Sequence, residues 1–390
     1  MARPVAVAAC AAISPLGAIT WSTLKQGARG GLLPALRTGS RALERESLGD
    51  GVTVPVARIR EPIPALGGDR TIDLLAWCHG ELGEELAAAA RLATPEERAV
   101  FAATSKGAVA ARLAGELDWR HAAPDAPARW LAERWPAAGS VQARVAACAT
   151  GLHNVIAAAQ EIADGRARAA LAGCAEAALI PIYLATFARL GTLTAGECRP
   201  FSAGRDGFAL GEGAALFLLI DADFARTLGA APRLAGWAIA GDPHSMTGMD
   251  PTGRAITAAA SRALSRAGRR GGGLDLVQCH GTATLANDRA EAAALRVLGA
   301  AGAPANSFKG AFGHLTGAAS GVELAALLGC MAEGLLPGTA GHGELAEDCA
   351  GVTIQREPRD GALSRALKIS SGFGGQVGAL VVDAAGSSCL

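Results

Sequence analysis

Aromatic residues make up only 4% of these 390 residues, with a single tyrosine, so the core cannot be built on large rings. Small side chains must close it instead, and 51 glycines beside abundant alanine fit tight helix–helix and helix–sheet contacts. Net charge is lacking too. Lys+Arg and Asp+Glu both total 36, which leaves no global basic field for nucleic acid or a membrane surface. The nine cysteines contain no CxxC pair and no regular Cys/His ligand spacing, so neither a zinc site nor a secreted disulfide framework is read from them, and no metal is expected. A reducing, cytoplasmic setting follows from that usage. No apolar run reaches the roughly 18 to 20 uninterrupted residues of a membrane span. The opening MARPVAVAACAAISPLGA superficially matches a secretory leader, but its basic end is minimal. Val5 to Ile13 also reads as a buried strand closed by the turn Ser14-Pro15-Leu16-Gly17.

What is present points to an α/β protein large enough for one big domain or two packed halves. Short apolar runs at 5–10, 99–103, 141–147, 169–172, 214–219, 274–279 and 380–382 read as strands. Ala-rich segments at 72–91, 152–163, 256–267, 290–298 and 321–333 read as helices between them. The Pro- and Arg-rich stretch 122–136 reads as a connecting or capping region. Between Asp221 and Pro232 the chain passes from a strongly apolar strand to a charged turn, which divides it into halves 1–225 and 226–390. No tandem repeat or low-complexity tail is visible, which argues against solenoids and disordered arms.

Four segments carry chemistry. Val145-Ala-Ala-Cys148-Ala-Thr-Gly places a cysteine where a strand gives way to a helix. The unsatisfied N–H groups of a helix start favour a thiolate, which predicts a lowered thiol pKa and a competent nucleophile. A buried cysteine is by itself more often a small core residue, and that reading is kept for Cys10, Cys78, Cys174, Cys279 and Cys330. In the second segment, Leu274 to Cys279 delivers His280 to the turn Gly281-Thr282-Ala283-Thr284, followed by Asp288. A lone histidine after a strand is usually structural, but here a close-approach glycine and two hydroxyls suit a polar substrate arm. The third, Asn306-Ser-Phe-Lys309-Gly-Ala-Phe-Gly-His314 through Glu323, places a lysine and a histidine at a glycine-rich helix start. Lys309 precedes the glycine spacing a phosphate loop needs, so nucleotide binding is the weaker reading. In the fourth, Ser370-Ser-Gly-Phe373-Gly-Gly-Gln-Val, three glycines surround one aromatic, either a backbone close to a ligand or a tight turn with a core phenylalanine.

In this order the four segments resemble the β-ketoacyl synthases of the thiolase-like superfamily, specifically the elongating class with a Cys-His-His triad. The resemblance covers nearly the whole chain, from Ile13-Ser-Pro-Leu-Gly17 through Arg199-Pro-Phe-Ser, Arg205-Asp-Gly-Phe and Gly211-Glu-Gly to Gly372-Phe-Gly-Gly375. It implies a thiolase fold, two similar βαβαβαββ halves in a five-layer αβαβα arrangement. It also implies Cys148 as nucleophile, with the N–H groups of Cys148 and Phe373 as oxyanion hole, and His280 and His314 as stabilisers of a malonyl-derived enolate. Lys309 would orient or polarise His314, Thr282 and Thr284 would bind the pantetheine arm, and Phe373 would gate the pocket. Asp288 and Glu323 would give structural support. No cofactor is bound by the enzyme itself, because the substrate arrives on the phosphopantetheine of an acyl carrier protein. Partners implied are that carrier and a second subunit, as homodimer or as heterodimer with a related ketosynthase-like chain.

An acidic carrier would dock on local Lys or Arg, with Lys106 and Arg189 as first candidates and Lys25, Arg29, Arg266, Arg269 and Arg270 as others. Departures from the family pattern lie near the substrate arm. Leu285 follows Thr284 where proline is common, Gln376-Val377 stands where Thr-Asn is usual, Ser371 replaces a frequent phenylalanine, and the stretch from Phe101 to Ser140 is short. A non-catalytic partner similar to chain-length factors is the main competitor, but such chains usually lack the cysteine. An initiating synthase typically uses Cys-His-Asn, and a thiolase has a second cysteine near its C-terminus. Neither pattern is met. Fatty-acid, polyketide and specialised lipid or polyene synthesis would all use these residues.

Overall fold

The computed structural model describes residues 3–26, 31–49, 52–66, 69–115, 122–222, 231–268 and 273–386. Among them a mixed sheet of eleven strands runs through the molecule. Its first wing holds β1 (Val5–Ser14), β2 (Arg98–Ala103), β3 (Val141–Gln142), β4 (Ala169–Glu176) and β5 (Gly213–Asp221). Its second holds β6 (Arg233–Gly241), β7 (Leu276–Gln278), β8 (Ala305–Asn306), β9 (Arg365–Gly372) and β10 (Gln376–Asp383). The strand order is β3-β2-β4-β5-β1-β6-β10-β9-β7-β8, and the short strand Gly17–Thr20 pairs back onto β1. Each wing repeats one pattern: two parallel pairings at its outer edge, then two antiparallel ones. The sheet passes from one wing to the other where Val5 and Ala6 pair with Leu234 and Arg233 and the Val7 N–H bonds the Pro232 carbonyl.

The helices explain the layering. Helix α1 (Arg70–Glu81) packs on the outer face of the first wing, against β1, β4 and β5. Helix α2 (Thr150–Ala163) touches strands of both wings, so it lies between them. Helix α3 (Pro181–Arg189) follows β4 and contacts the short strand Glu44–Gly49. Helix α4 (Arg254–Arg266) covers the outer face of the second wing, and α5 (Leu285–Val297) packs beside it. Helix α6 (Ala319–Ala332) crosses α2 in the middle layer. All but the last of its residues are buried, as expected of a helix apolar all round. Strands covered on both faces likewise read as unbroken apolar runs, and every residue of β1, β4 and β5 is buried.

The crossing of α2 and α6 depends on glycine. A Cβ on Gly151 would stand 2.6 Å from the Gly321 nitrogen, and one on Gly321 would stand 2.4 Å from Cys174 Sγ. The composition poor in rings and rich in small residues is realised at this contact. The repeat extends to the backbone, since the 3₁₀ turns before α2 and α6 each open on a residue at φ 47°, Ala147 and Thr316.

The boundary expected between 225 and 226 lies in segment 223–230, outside the described residues. Several expected elements differ in extent. The strand expected over 141–147 pairs only at Val141–Gln142. Beyond it, Arg144 N donates to Asn154 Oδ1 and Ala146 N to Thr150 Oγ1, so side chains of α2 take the donors a ladder would need. The helix expected over 72–91 breaks at Leu82 into Arg70–Glu81 and Gly83–Leu92. The stretch 122–136 contains a helix, Ala126–Arg134, packed on β2 through buried Leu131. Strands β6 and β9 went unread because Arg, Trp, Lys and Gly interrupt their apolar runs.

Candidate active site

Cys148 sits in the 3₁₀ turn Ala147–Ala149 that opens α2, facing a cavity of about 320 Å³. His280, Thr282, Thr284, His314 and Phe373 share the lining, so the cavity gathers groups from all four chemistry-bearing segments. The loop after β9 closes over the cysteine. A Cβ on Gly372 would stand 2.5 Å from the Ala146 carbonyl oxygen and 3.1 Å from the Cys148 nitrogen. This approach brings the Phe373 N–H onto Cys148 Sγ. Gly372→Ala is therefore expected to destabilise the fold by about 1–3 kcal/mol through overpacking and to move the loop of Phe373 off Cys148. Thermal unfolding and the rate of Cys148 alkylation by iodoacetamide measure the two effects.

The thiol does not behave as the helix start alone predicts. Burial pushes the Cys148 pKa above its ordinary value, and Glu176 adds to the rise. The ammonium groups of Lys106 and Lys309 and the Phe373 N–H pull the other way. Burial in the 3₁₀ turn desolvates the sulfur more than the helix end and nearby charges stabilise its thiolate.

His280 and His314 face each other edge to face, with ring centroids 5.4 Å apart, and Phe208 meets His314 the same way at 4.7 Å. Burial first, then the nearby lysine charges, hold both imidazoles well below their ordinary pKa. Both rings are neutral at pH 7, and each then carries one N–H donor and one acceptor nitrogen. His314 Nδ1 is buried with no partner among the described residues. An unpartnered ring nitrogen in a cavity wall is a place for a ligand.

The hydrogen-bond contacts of Lys309 run to His280 and not to His314, so it acts on His314 through its charge alone. Its Nζ is 3.3 Å from His280 Nδ1 and also donates to the His280 carbonyl oxygen. An ammonium can only donate, so Nδ1 of His280 accepts and the ring proton lies on Nε2. The difference arises because Lys309 begins a short helix (Lys309–Phe312) ending at Gly313, which turns the chain before His314. His314 is placed instead by its backbone N–H on the Ala209 carbonyl at 2.7 Å.

Glu323, on the first turns of α6, accepts from Lys309 Nζ at 2.6 Å and from Lys368 Nζ at 2.7 Å. All three side chains are wholly buried. Asp288 accepts from the Phe201 N–H at 2.7 Å and lies 3.5 Å from Arg205, and burial raises its pKa to about 6. Thr282 and Thr284 hydroxyls are 2.8 Å apart at the cavity wall. Positive φ angles at Ala147, Phe201, Ala283 and Thr316 concentrate backbone strain around this site.

Several residues were not singled out from sequence. Glu291 receives the backbone N–H groups of His280 and Gly281, both at 2.6 Å, and fixes the histidine's turn, while burial raises its pKa to about 7. Glu176 receives Thr104 Oγ1, Ser105 N and Gly317 N, tying the 104–106 loop to the turn before α6. The available signal was a lone charge in an apolar setting: Lys368 inside β9 and Glu176 ending β4.

The docking candidates divide. Arg189 is exposed at the end of α3. Lys106 is not a surface cation, since its side chain turns inward over the rings of Tyr183 and Phe187 and lies 3.7 Å from Glu176. Arg266 lies flat on Trp237, 3.8 Å from the ring centroid. The Lys25 side chain and Arg29, Arg269 and Arg270 lie outside the described residues.

A five-layer fold carrying a buried cysteine against two histidines is the arrangement to set beside known proteins. Residues 88–225 match the description "Beta-ketoacyl synthase, N-terminal domain" and residues 232–342 match "Beta-ketoacyl synthase, C-terminal domain". The chain belongs to the β-ketoacyl synthase family and has its thiolase fold. The tetracenomycin polyketide synthase ketoacyl synthase alpha subunit of Streptomyces glaucescens is 34% identical over 281 residues, 69% of this chain and 66% of that protein. The 3-oxoacyl-[acyl-carrier-protein] synthase 2 of Mycobacterium tuberculosis is 34% identical over 253 residues, 62% of this chain and 60% of that protein. The matches thus span less than two thirds of these relatives' length. Among solved structures, a ketosynthase of Xenorhabdus doucetiae in complex with its chain length factor superposes with TM-score 0.84 at 21% identity, over 98% of either chain. A type II polyketide ketosynthase, in complex with its acyl-carrier protein and bound to a hexaketide, gives TM-score 0.86 at 24% identity, over 98% of this chain and 100% of that one. At these identities the superpositions speak for the fold alone. No helix among the described residues is long and apolar enough to cross a membrane.

Proposed function

We propose that this chain catalyses decarboxylative Claisen condensation of an acyl group on Cys148 with a malonyl thioester. The observation that carries the reading is the meeting in one cavity of Cys148 Sγ, the Phe373 N–H and two neutral, buried histidines.

Cys148 attacks the incoming thioester, a carbon–sulfur bond forms to Sγ, and the carrier's pantetheine thiol leaves with the proton. The N–H groups of Cys148 and Phe373 hold the oxyanion of the tetrahedral intermediate. Malonyl thioester then enters with its carbonyl oxygen between the imidazoles. His280 donates from Nε2, its tautomer set by Lys309, and His314 donates the second hydrogen bond. Loss of CO2 leaves an enolate stabilised by those donors, and its carbon attacks the acyl carbonyl on Cys148. The thiolate returns, and a chain longer by two carbons leaves as a β-ketoacyl thioester. Neutral imidazoles suit this step, because they donate to a developing oxyanion without protonating the carbanion outright. The Thr282 and Thr284 hydroxyls hold the pantetheine arm, and Phe373 gates the cavity. Asp288 and Glu323 support the site without exchanging protons with substrate.

The proposed partners are an acyl carrier protein and a second ketosynthase-like subunit, in a homodimer or heterodimer. Exposed Arg189 is the remaining described candidate of the first two for the carrier. The proposed setting is the cytoplasm, where a thiol nucleophile stays reduced.

Intact mass of wild type and Cys148→Ala, incubated with acyl-carrier thioesters and then malonyl-carrier, tests the reading. An acyl adduct should form on the wild type alone and be discharged as a β-ketoacyl product. Absence of any adduct on folded wild-type protein would replace catalysis with a partner-subunit role like that of a chain-length factor.

A further inference from the structure

The buried charges behind the two histidines are uneven in number. Lys309 and Lys368 are cations, Glu323 is the one carboxylate between them, and no side chain of the three has any solvent exposure. Glu323 Oε1 accepts from Lys309 Nζ at 2.6 Å, and Oε2 accepts from Lys368 Nζ at 2.7 Å. Stability alone asks for one cation to each buried carboxylate, because an unbalanced buried charge is costly. Lys309 meets that need by itself and also touches His280. Lys368 is the surplus.

Its place in the fold relates that surplus to the reaction. Lys368 is in register with Gln278 at the end of β7, the strand that delivers His280. Its own strand, β9, ends at Gly372, directly before Phe373. The ammonium also donates to the Ile369 carbonyl oxygen at 2.8 Å, so it is pinned to β9 while it holds Glu323 on α6. Contacts then run without a break from Lys368 to Glu323, from Glu323 to Lys309 and from Lys309 to the His280 ring. Both imidazoles feel the Lys368 charge. The Cys148 thiol answers first to Lys106, Lys309 and Glu176.

Decarboxylation moves negative charge toward this cluster. The bond between the malonyl α-carbon and its carboxylate breaks, CO2 leaves, and the electron pair passes to the α-carbon and the thioester carbonyl oxygen. No proton moves. The single negative charge of the carboxylate becomes that of an enolate whose oxygen lies between the imidazoles. A fixed positive charge behind those two donors favours the second position over the first, and burial weakens the screening of that attraction.

We propose that Lys368 is a positioning residue for decarboxylation: it holds Glu323 so that Lys309 stays on His280, and it supplies the one positive charge in excess that draws the enolate's charge to the two histidines. This assignment rests on the condensing reading above. The other charged or titratable groups about the rings are Lys309, Lys106 with Glu176 beside it, Cys148 across the cavity, and Glu291 on the His280 N–H with Asp288 next to it.

Lys368→Met keeps the bulk of the side chain and deletes its charge, leaving Lys309 and Glu323 as a balanced pair. Single-turnover release of labelled CO2 from malonyl-carrier on acylated enzyme should fall about tenfold, less than the roughly 10²–10³-fold of a direct donor. Acylation of Cys148 should keep its rate. The acid limb of the decarboxylation profile should move to higher pH, because a cation that opposes protonation of the rings is gone. Combining Lys368→Met with Glu323→Gln again leaves one cation in excess, and the acid limb should return toward its wild-type position. A residue that only packs would not follow this charge count. Lys368→Gln serves if circular dichroism shows the Met variant unfolded. An unmoved acid limb in a folded variant, or an equal loss in both half-reactions, overturns the role of Lys368 and leaves the condensing reading in place. Unfolding of both variants does the same, since it assigns the lysine to stability. Failure of folded wild-type protein to accept an acyl group and to release CO2 overturns both.

Discussion

Alanine at His280 or His314 is expected to slow decarboxylation of a malonyl thioester by about 10²–10³-fold, the usual cost of losing one preorganised donor to an oxyanion. Acylation of Cys148 should fall much less, because the oxyanion hole proposed for that step is made of the backbone N–H groups of Cys148 and Phe373. The two half-reactions separate experimentally: adduct formation reads the first, and release of labelled CO2 from malonyl-carrier reads the second. The pH profile carries an independent check. Both imidazoles are held well below their ordinary pKa by burial and lysine charge, so decarboxylation should stay flat through neutral pH and fall only in acid, when the rings gain protons. Acylation should instead climb on the alkaline side, since the Cys148 thiol is raised and its thiolate fraction grows with pH. A single profile shared by both half-reactions would show that one group governs both and would count against these separate roles.

Glu323→Gln is expected to destabilise the protein by about 3–5 kcal/mol, the scale for stranding buried charge. In the native protein one carboxylate faces two ammonium groups, Lys309 and Lys368, with no solvent exposure at any of the three. Removing its charge leaves two buried cations facing a neutral amide with a single acceptor oxygen, beside the His280 and Ile369 carbonyl oxygens and His280 Nδ1. Burial already lowers the Lys368 pKa in the native protein, and Glu323 opposes that lowering. Without Glu323 the folded lysine titrates lower still, so the folded state binds fewer protons than the unfolded chain below the ordinary lysine pKa near 10. Stability of the variant should therefore recover as pH rises from neutral toward that value, because stability increases with pH wherever the unfolded state holds more protons. Urea unfolding midpoints between pH 7 and 10 measure both the loss and its recovery. The network also fixes the His280 tautomer through Lys309, so malonyl decarboxylation should fall in the same variant.

The parts of the site legible in the sequence are those where chemistry and local structure coincide. Cys148 at a strand-to-helix turn, His280 after an apolar strand and the glycines around Phe373 were readable because each sits beside an abrupt change of pattern. The partner of Lys309 was not readable. Lys309 and His314 are near in sequence, yet the helix Lys309–Phe312 and the turn at Gly313 send the lysine to His280, 29 residues earlier. Lys106 shows the opposite failure, since a lysine in a polar loop reads as surface charge and only the packing of α3 over it reveals an inward side chain.

The sequence by itself determined the α/β alternation, the Ala-rich helices between the strands, the small-residue composition that lets α2 and α6 cross, and the segments that carry Cys148, His280 and His314. Those follow from periodicity and residue type, which act over a few neighbours. The tertiary structure alone decided the balance of charge around them: a raised thiol, depressed imidazoles, a carboxylate shared by two lysines, and a lysine turned inward over two aromatic rings. Desolvation and Coulomb interaction depend on distances between segments far apart in the chain, and only the folded layers fix those distances.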